Sequence, residues 1–266
     1  MKALLKAIFY KTAPKTATAF FSARSRAHSH RIVKLWDSDR LNQELISRNG
    51  RRVLSGPFKG MELTQETEKE FLGPYLLGTF ELEIQPWIDA ACRRNDISAF
   101  VDVGAKFGFY SIGFALRNPA IPSIAFDTDN WARKAMREMA QANYTKNLDI
   151  RGYCDREWIE RGLPPNSFVL SDCEGYESVL FRDVSPSLES ATLLIETHDH
   201  EVANISVTLR EKFSNSHFVQ EVKSGIARSS PVDLSFLTDA EQHKVLNETR
   251  LEQTWLLMIP RTTSNY

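Results

Sequence analysis

The chain has 266 residues, a net charge of −1 and a hydrophobic fraction of 42%. These values predict one large globular domain, or one domain with an extension, and they exclude a strongly basic nucleic-acid binder. Three cysteines without a C-x-x-C pair favour reduced thiols over a disulfide framework or a zinc site.

The N-terminal segment is basic, because residues 1–36 hold eight Lys or Arg and no Asp or Glu. Leu4, Leu5, Ile8 and Phe9 fall on one face of a short predicted helix. Three interpretations stay open: a helix on an anionic membrane surface, a targeting peptide, or a basic helix packed on the main domain. The expected location is cytoplasmic, with a peripheral membrane contact as one of the open alternatives.

The region before residue 99 is predicted to form short helices and one hairpin. A helix is predicted from Leu41 to Asn49, a hairpin over 51–63 and an acidic helical segment over 64–72. Apolar residues at helical spacing predict a further helix over 80–92, with Thr79 as its N-cap.

From residue 99 onward, apolar runs of strand length alternate with amphipathic segments of helical length. Strands are predicted over 99–103, 123–126, 148–153, 168–171, 192–195, 217–222 and 255–259, and helices over 110–117, 131–144, 176–181 and 202–213. This alternation predicts an α/β fold in which a mostly parallel, doubly wound sheet is covered by helices on both faces.

Acidic residues follow each of the first five predicted strands. They are Asp102, Asp127, Asp155, Asp172 with Glu174, and Glu196. Ligands of doubly wound sheets bind at the carboxyl ends of the strands, and like charges gathered there repel one another. Any one of these acids can be explained as a helix N-cap, but five in succession favour a binding site.

The loop after the first strand carries two glycines, Gly104 and Gly108, in a G-x-x-x-G spacing. Glycine lets the backbone turn sharply and approach a ligand. Because dinucleotide sites use G-x-G-x-x-G, this spacing disfavours an NAD-dependent oxidoreductase and favours S-adenosylmethionine (SAM). Asp127, at the end of the second strand, can accept two hydrogen bonds from a ribose diol.

Four motifs together resemble the FkbM-type SAM-dependent methyltransferases. They occupy residues 100–111 (FVDVGAKFGFYS), 125–129 (AFDTD), 170–180 (LSDCEGYESVL) and 194–199 (LIETHD). The resemblance extends more loosely to residues 55–61 and 77–81. It implies the class I methyltransferase fold, a Rossmann-like sheet of seven strands whose last strand is antiparallel. Residues 1–50 are then a basic helical extension and 51–266 the methyltransferase domain, divided into a hairpin and helix (51–98) and a SAM-binding core (99–266).

The resemblance implies SAM as cofactor and assigns it these residues: Glu81, Asp102, Gly104, Gly108, Asp127, Asp155 and Asp172. It puts Asp127 on the ribose hydroxyls, Asp155 near the adenine amine and Glu81 toward the amino-acid end. Asp102 and the two glycines surround the methionine part. Lys106 stands where the family usually has Asn, and it either faces the cofactor, turns outward or pairs with Glu174.

Methyl transfer to oxygen is helped by a base, and three catalytic residues are expected: His198, Asp172 and Glu174. His198 is the first candidate base because the ordinary pKa of histidine is about 6.5. Asp172 is the second candidate, and Glu174 would lie beside the acceptor. A purely structural His198, or a divalent metal held by this strand end and Asp172, stays open. No metal ligands are assigned, because side chains alternate in direction along a strand.

The predicted function is SAM-dependent O-methylation of a small molecule or a glycan. The alternative is a non-catalytic module that keeps the methyltransferase fold as a binding or scaffolding surface. No nucleic-acid partner is expected, and a homodimer is left open.

Overall fold

The computed structural model describes residues 8–9, 12–35, 37–69, 72–248 and 251–261. The apolar face expected for Leu4, Leu5, Ile8 and Phe9 therefore lies mostly outside the described residues. None of the helices in the described ranges combines the length and the apolar character needed to cross a bilayer.

The described residues form one seven-stranded sheet with the order β3-β2-β1-β4-β5-β7-β6. The strands are β1 Phe100–Val103, β2 Ser123–Phe126, β3 Leu148–Arg151, β4 Phe168–Ser171, β5 Thr192–Thr197, β6 His217–Lys223 and β7 Thr254–Pro260. β1 to β5 pair in parallel, whereas β7 runs antiparallel between β5 and β6. This topology confirms the predicted doubly wound α/β fold and its antiparallel last strand.

Helices connect and cover these strands. They are α1 Pro14–Leu35, α2 Ser38–Asn49, α3 Leu72–Leu77, α4 Gln85–Arg93, α5 Phe109–Arg117, α6 Asn130–Ala142, α7 Arg156–Arg161, α8 Glu177–Leu180, α9 Pro186–Glu189, α10 Ile205–Phe213 and α11 Asp239–Leu246, with a 3-10 helix at Gln65–Lys69. Among the described residues, four helices are additions to the predicted set: α3, α7, α9 and α11. The acidic segment predicted as helical over 64–72 forms the 3-10 helix at Gln65–Lys69.

One local prediction before residue 99 is wrong. The helix expected over 80–92 begins only at Gln85, so Ile84 and not Thr79 precedes it, and Ile84 has no capping side chain. Glu81, with φ of 46°, adopts a left-handed conformation that interrupts any earlier helix.

The hairpin predicted over 51–63 is present in a short form. Arg52 and Glu62 form an antiparallel bridge. The backbone N–H of Val53 donates to Met61 at 2.9 Å, and that of Leu63 donates to Arg51 at 2.7 Å.

Two hydrophobic cores cover the two faces of the sheet. Phe100 and Leu194 belong to the core shared with α2 to α6, whereas Val101 and Leu193 belong to the core shared with α7 to α10. Ala17 of α1 is buried in the second core, so the N-terminal helix packs on the main domain. The alternation follows from the two-residue period of a strand.

The same period places polar side chains on one face. Asp102 lies two residues after Phe100, and Glu196 lies two residues after Leu194, so both point to the face of the first core. His198 continues this pattern one step beyond β5. The buried face therefore carries acidic and imidazole groups at the carboxyl edge of the sheet.

β1 and β4 are neighbours in the sheet although the chain leaves them in opposite directions. The loops that follow β1 and β4 therefore run in opposite directions, and a crevice opens between them at the carboxyl edge of the sheet. Gly104, with φ of 89°, lies where the two loops meet, and a Cβ atom there would overlap the carbonyl oxygen of Asp172. Only glycine allows this approach.

Gly104→Ala should lower the free energy of unfolding by roughly 2–5 kcal/mol. The left-handed backbone costs an alanine about 1–2 kcal/mol, and the clash with a fixed carbonyl adds about 1–3 kcal/mol. Gly60→Ala is the matched control, because Gly60 has φ of 92° and no atom within 4 Å of the place that its new methyl group would take. Urea unfolding of both variants measures the difference, and equal losses would contradict the close approach.

Candidate functional site

An open cleft lies at the carboxyl edge of the sheet, beside the divergence of β1 and β4. It encloses about 830 Å³, counted to its open mouth. Its lining includes Thr18 of α1 and residues that follow four strands, among them Gly104, Lys106, Asp127, Tyr153, Asp172 and Glu174. We call this space the β1–β4 cleft.

Asp127 ties the glycine loop to the end of β2. Its Oδ2 accepts a hydrogen bond from the backbone N–H of Lys106, and its Oδ1 accepts one from the backbone N–H of Asp129, both at 2.8 Å. Lys106 has φ of 51°, so this bond holds a strained backbone position. Burial raises the pKa of Asp127 to about 6, against the effect of these two hydrogen bonds. Each oxygen can accept a second bond, so Asp127 can still receive ligand hydroxyls.

Asp102 and Gly108 support the cleft and are not among its lining residues. Asp102 is buried and accepts a hydrogen bond from the hydroxyl of Ser111. Burial raises its pKa to about 7, and the neighbouring charges of Asp172 and Asp127 act in the same direction. Gly108 packs against α6, since a Cβ atom there would meet Met136 at 2.6 Å.

Glu81 and Asp155 also lie outside the lining of the cleft. Asp155 is exposed and caps α7, accepting a hydrogen bond of 2.8 Å from the N–H of Trp158. Glu81 is buried and accepts a hydrogen bond from the hydroxyl of Tyr110. Their roles toward a cofactor stay predictions.

Lys106 adds a cation to the wall of the cleft. Its Nζ lies 5.8 Å from the centre of the Phe107 ring. The hydroxyls of Tyr153 and Tyr176 share a hydrogen bond, and both residues line the space. The cleft is therefore lined by aromatic rings as well as by charged side chains.

Carboxylates surround His198, whose side chain is 1% exposed. Its Nδ1 lies 3.1 Å from Glu177 Oε1, and its Nε2 lies 3.4 Å from Asp172 Oδ1, 3.7 Å from Glu196 Oε2 and 3.9 Å from Glu174 Oε2. We call these five residues the His198 cluster. Burial alone would lower the pKa of His198, but the charges of Glu177 and Asp172 outweigh it and hold that pKa well above its usual range.

The structure brings together the three predicted catalytic residues, Asp172, Glu174 and His198, and adds Glu177 and Glu196 to them. Glu196 carries a signal in the sequence, because it lies two residues before His198 and so shares its face of β5. Glu177 belongs to the motif over residues 170–180, but the resemblance assigns no role to it. It reaches the cluster from the first turn of α8, where it also accepts the N–H of Cys173 at 2.9 Å.

No family model matches the sequence, and a comparison with curated proteins finds no relative. Among solved structures, a precorrin-6y C5,15-methyltransferase from Geobacter metallireducens aligns with 66% of this chain and 87% of its own, at 10% identity and a TM-score of 0.44. An rRNA methylase from Streptococcus thermophilus aligns over 67% and 96%, at 12% identity and a TM-score of 0.45. TrmK from M. capricolum, solved with S-adenosyl-homocysteine, aligns over 66% and 68%, at 12% identity and a TM-score of 0.43. At these identities and TM-scores the three structures share only the general fold with this chain. The fold assignment rests on the strand order of the sheet.

Asp127→Ala should free the glycine loop. Losing a hydrogen bond to a charged acceptor costs about 1.5–3 kcal/mol, so the amide of Lys106 should exchange its hydrogen roughly 10- to 100-fold faster. Asp155→Ala is the control, because it removes a comparable backbone contact at α7 and leaves the loop intact. Unchanged exchange at Lys106 in Asp127→Ala would show that the carboxylate does not hold the loop.

Proposed function

We propose that this protein is a SAM-dependent methyltransferase of the FkbM type that methylates a hydroxyl oxygen of a small molecule or a glycan. The observation that carries the proposal is the position of Asp127. Its carboxylate stands between the glycine loop and the β1–β4 cleft, in a sheet whose strand order and antiparallel β7 match the expected class I methyltransferase fold.

The residues of the cleft fit SAM. Gly104 lines the cleft without a side chain, so the loop presents its backbone to a ligand at this point. Asp127 has lone pairs for two ribose hydroxyls. Tyr153 offers an aromatic surface for adenine at the end near β3. Asp172 and Glu174 supply negative charge for the ammonium and sulfonium groups at the other end.

SAM, when bound, supplies a methyl group on a positively charged sulfur, whose C–S bond breaks as a bond from the acceptor oxygen forms. The chain's own task is to bind, orient and exclude water. Asp172 and Glu174 are 36% and 38% exposed, so they can accept a hydrogen bond from an acceptor hydroxyl. Asp172 is placed to take the hydroxyl proton, and His198 lies behind it at 3.4 Å.

The charge of the cleft supports an uncharged, hydroxylated acceptor. Asp127, Asp129, Asp172 and Glu174 all line it, against the single lysine Lys106 among its lining residues. A phosphate-rich acceptor would meet repulsion at this mouth, and a net charge of −1 offers no long-range attraction to nucleic acid.

SAM should bind to the purified protein, and Asp127→Ala should weaken that binding at least about tenfold, since charged hydrogen bonds to the ribose are lost. Isothermal titration calorimetry measures both values. Asp149→Ala is the control, because Asp149 lies on β3 in an exposed ion pair with Arg151. A protein that binds neither SAM nor S-adenosylhomocysteine at millimolar concentration would overturn the proposal.

Asp172→Asn should weaken SAM binding, because it removes one of the negative charges beside the sulfonium. At saturating SAM it should still slow methyl transfer by roughly 10²–10⁴, the usual contribution of a positioned base. Release of S-adenosylhomocysteine, measured with a panel of sugars and small alcohols, provides the readout. Asp199→Asn is the matched control, because Asp199 bonds to Ser206 and does not line the cleft. SAM binding without transfer to any acceptor would favour the scaffolding alternative.

A further inference from the structure

We infer that the His198 cluster is a binding site for one divalent transition-metal ion, with His198, Asp172 and Glu196 as its ligands. The inference of a metal site stands on the geometry of these side chains. Only the role of the ion in catalysis rests on the proposed methyltransferase function.

The ring nitrogens of His198 lack the hydrogen bonds that those of the buried His217 make. His217 Nδ1 forms a hydrogen bond of 2.8 Å with Ser216 Oγ, and its Nε2 forms one of 3.1 Å with the carbonyl oxygen of Ala191. His198 Nδ1 faces Glu177 Oε1 at 3.1 Å, although the two groups are not aligned for a hydrogen bond, and its Nε2 has no carboxylate oxygen nearer than 3.4 Å among the described residues. A buried Nε2 without a partner at hydrogen-bond distance is costly unless another ligand completes it.

The distances from Nε2 to Asp172 and Glu196 are too long for hydrogen bonds and close to the spacing of ligand atoms on one ion, the first within that range and the second about 0.1 Å above it. N–H···O hydrogen bonds measure about 2.7–3.2 Å, shorter than the 3.4 Å and 3.7 Å that separate Nε2 from Asp172 and Glu196. Metal–ligand bonds of about 2.0–2.2 Å hold neighbouring ligand atoms about 3.0–3.6 Å apart. One ligand atom from each of the three residues lies within 4.8 Å of the others.

Glu177 completes the arrangement from behind the ring. It is fully buried, accepts the N–H of Cys173 at 2.9 Å, and places Oε1 3.1 Å from His198 Nδ1. A carboxylate in this place orients the ring and makes Nε2 a better donor to a metal. Its other oxygen, Oε2, has no hydrogen-bond partner among the described residues, which adds uncompensated charge that a cation would offset.

The ion would be open to the β1–β4 cleft. The side chains of His198 and Glu196 are only 1% and 2% exposed, whereas Asp172 is 36% exposed and lines the cleft. Three protein ligands leave further coordination positions on that side, as in catalytic metal sites. One imidazole with two carboxylates suits Mn²⁺, Fe²⁺ or Zn²⁺ better than Ca²⁺ or Mg²⁺, which favour oxygen alone.

A hydroxyl bound to such an ion loses its proton more readily. The proton would pass to water in the cleft, the hydroxyl oxygen would form the bond to the methyl carbon, and the electron pair of the broken C–S bond would stay on sulfur. Asp172, Glu196 and His198 would hold the ion, which would then activate the acceptor hydroxyl in place of Asp172.

The test is a titration of chelator-treated protein with MnCl₂ in the absence of SAM, followed by calorimetry and electron paramagnetic resonance. The wild type should bind about one Mn²⁺ per chain, with a nitrogen coupling from His198. Glu196→Gln, Asp172→Asn and His198→Gln should each weaken binding at least about tenfold, and His198→Gln should remove the nitrogen coupling. His200→Gln is the matched control, because His200 lies two residues away and outside the cluster.

Circular dichroism identifies any variant of the buried His198 or Glu196 that fails to fold. In that case Asp172→Asn decides the test, because Asp172 is 36% exposed and its replacement disturbs the core least. Absence of Mn²⁺ binding to the wild type, or equal binding by all variants, overturns the metal site. SAM binding measured on the same samples separates the two proposals: SAM binding without Mn²⁺ leaves the methyltransferase standing, and Mn²⁺ binding without SAM leaves the metal site standing.

Discussion

The contact between the loops that follow β1 and β4 is the constraint on which the site depends. Gly104 approaches the carbonyl oxygen of Asp172 so closely that no side chain fits between them. Because the chain leaves these two strands in opposite directions, the loops diverge beyond this contact and open the β1–β4 cleft. The position of Asp172 in the lining of the cleft follows from this one approach.

Charge is distributed unevenly along the cleft. Asp127 is engaged by two backbone N–H groups, so its negative charge is partly neutralised where it stands. The His198 cluster gathers four carboxylates around one imidazole, at distances set by β4, β5 and α8. Buried like charges repel each other, and a protein tolerates them where a ligand supplies the missing positive charge. SAM and a divalent ion are both cations, and the two proposals account for the acidic character of the same region.

The sheet was predictable because its signals are local. Apolar runs end in acidic residues, and the two-residue period puts Asp102, Glu196 and His198 on one face. The segments before residue 99 were less predictable, since their course depends on long-range contacts, such as the bond from the Glu81 N–H to Glu248 at 2.6 Å. Glu177 is the clearest case in the site. It lies in the motif over residues 170–180, but its spacing from β4 does not indicate that it faces His198; the turn into α8 brings it there.

A crystal structure grown with S-adenosylhomocysteine tests the central claim most directly. The account predicts density in the β1–β4 cleft, with the ribose hydroxyls on Asp127, the adenine beside Tyr153 and the sulfur toward Asp172. An empty cleft at millimolar ligand, or a ligand bound away from Asp127, would contradict the account.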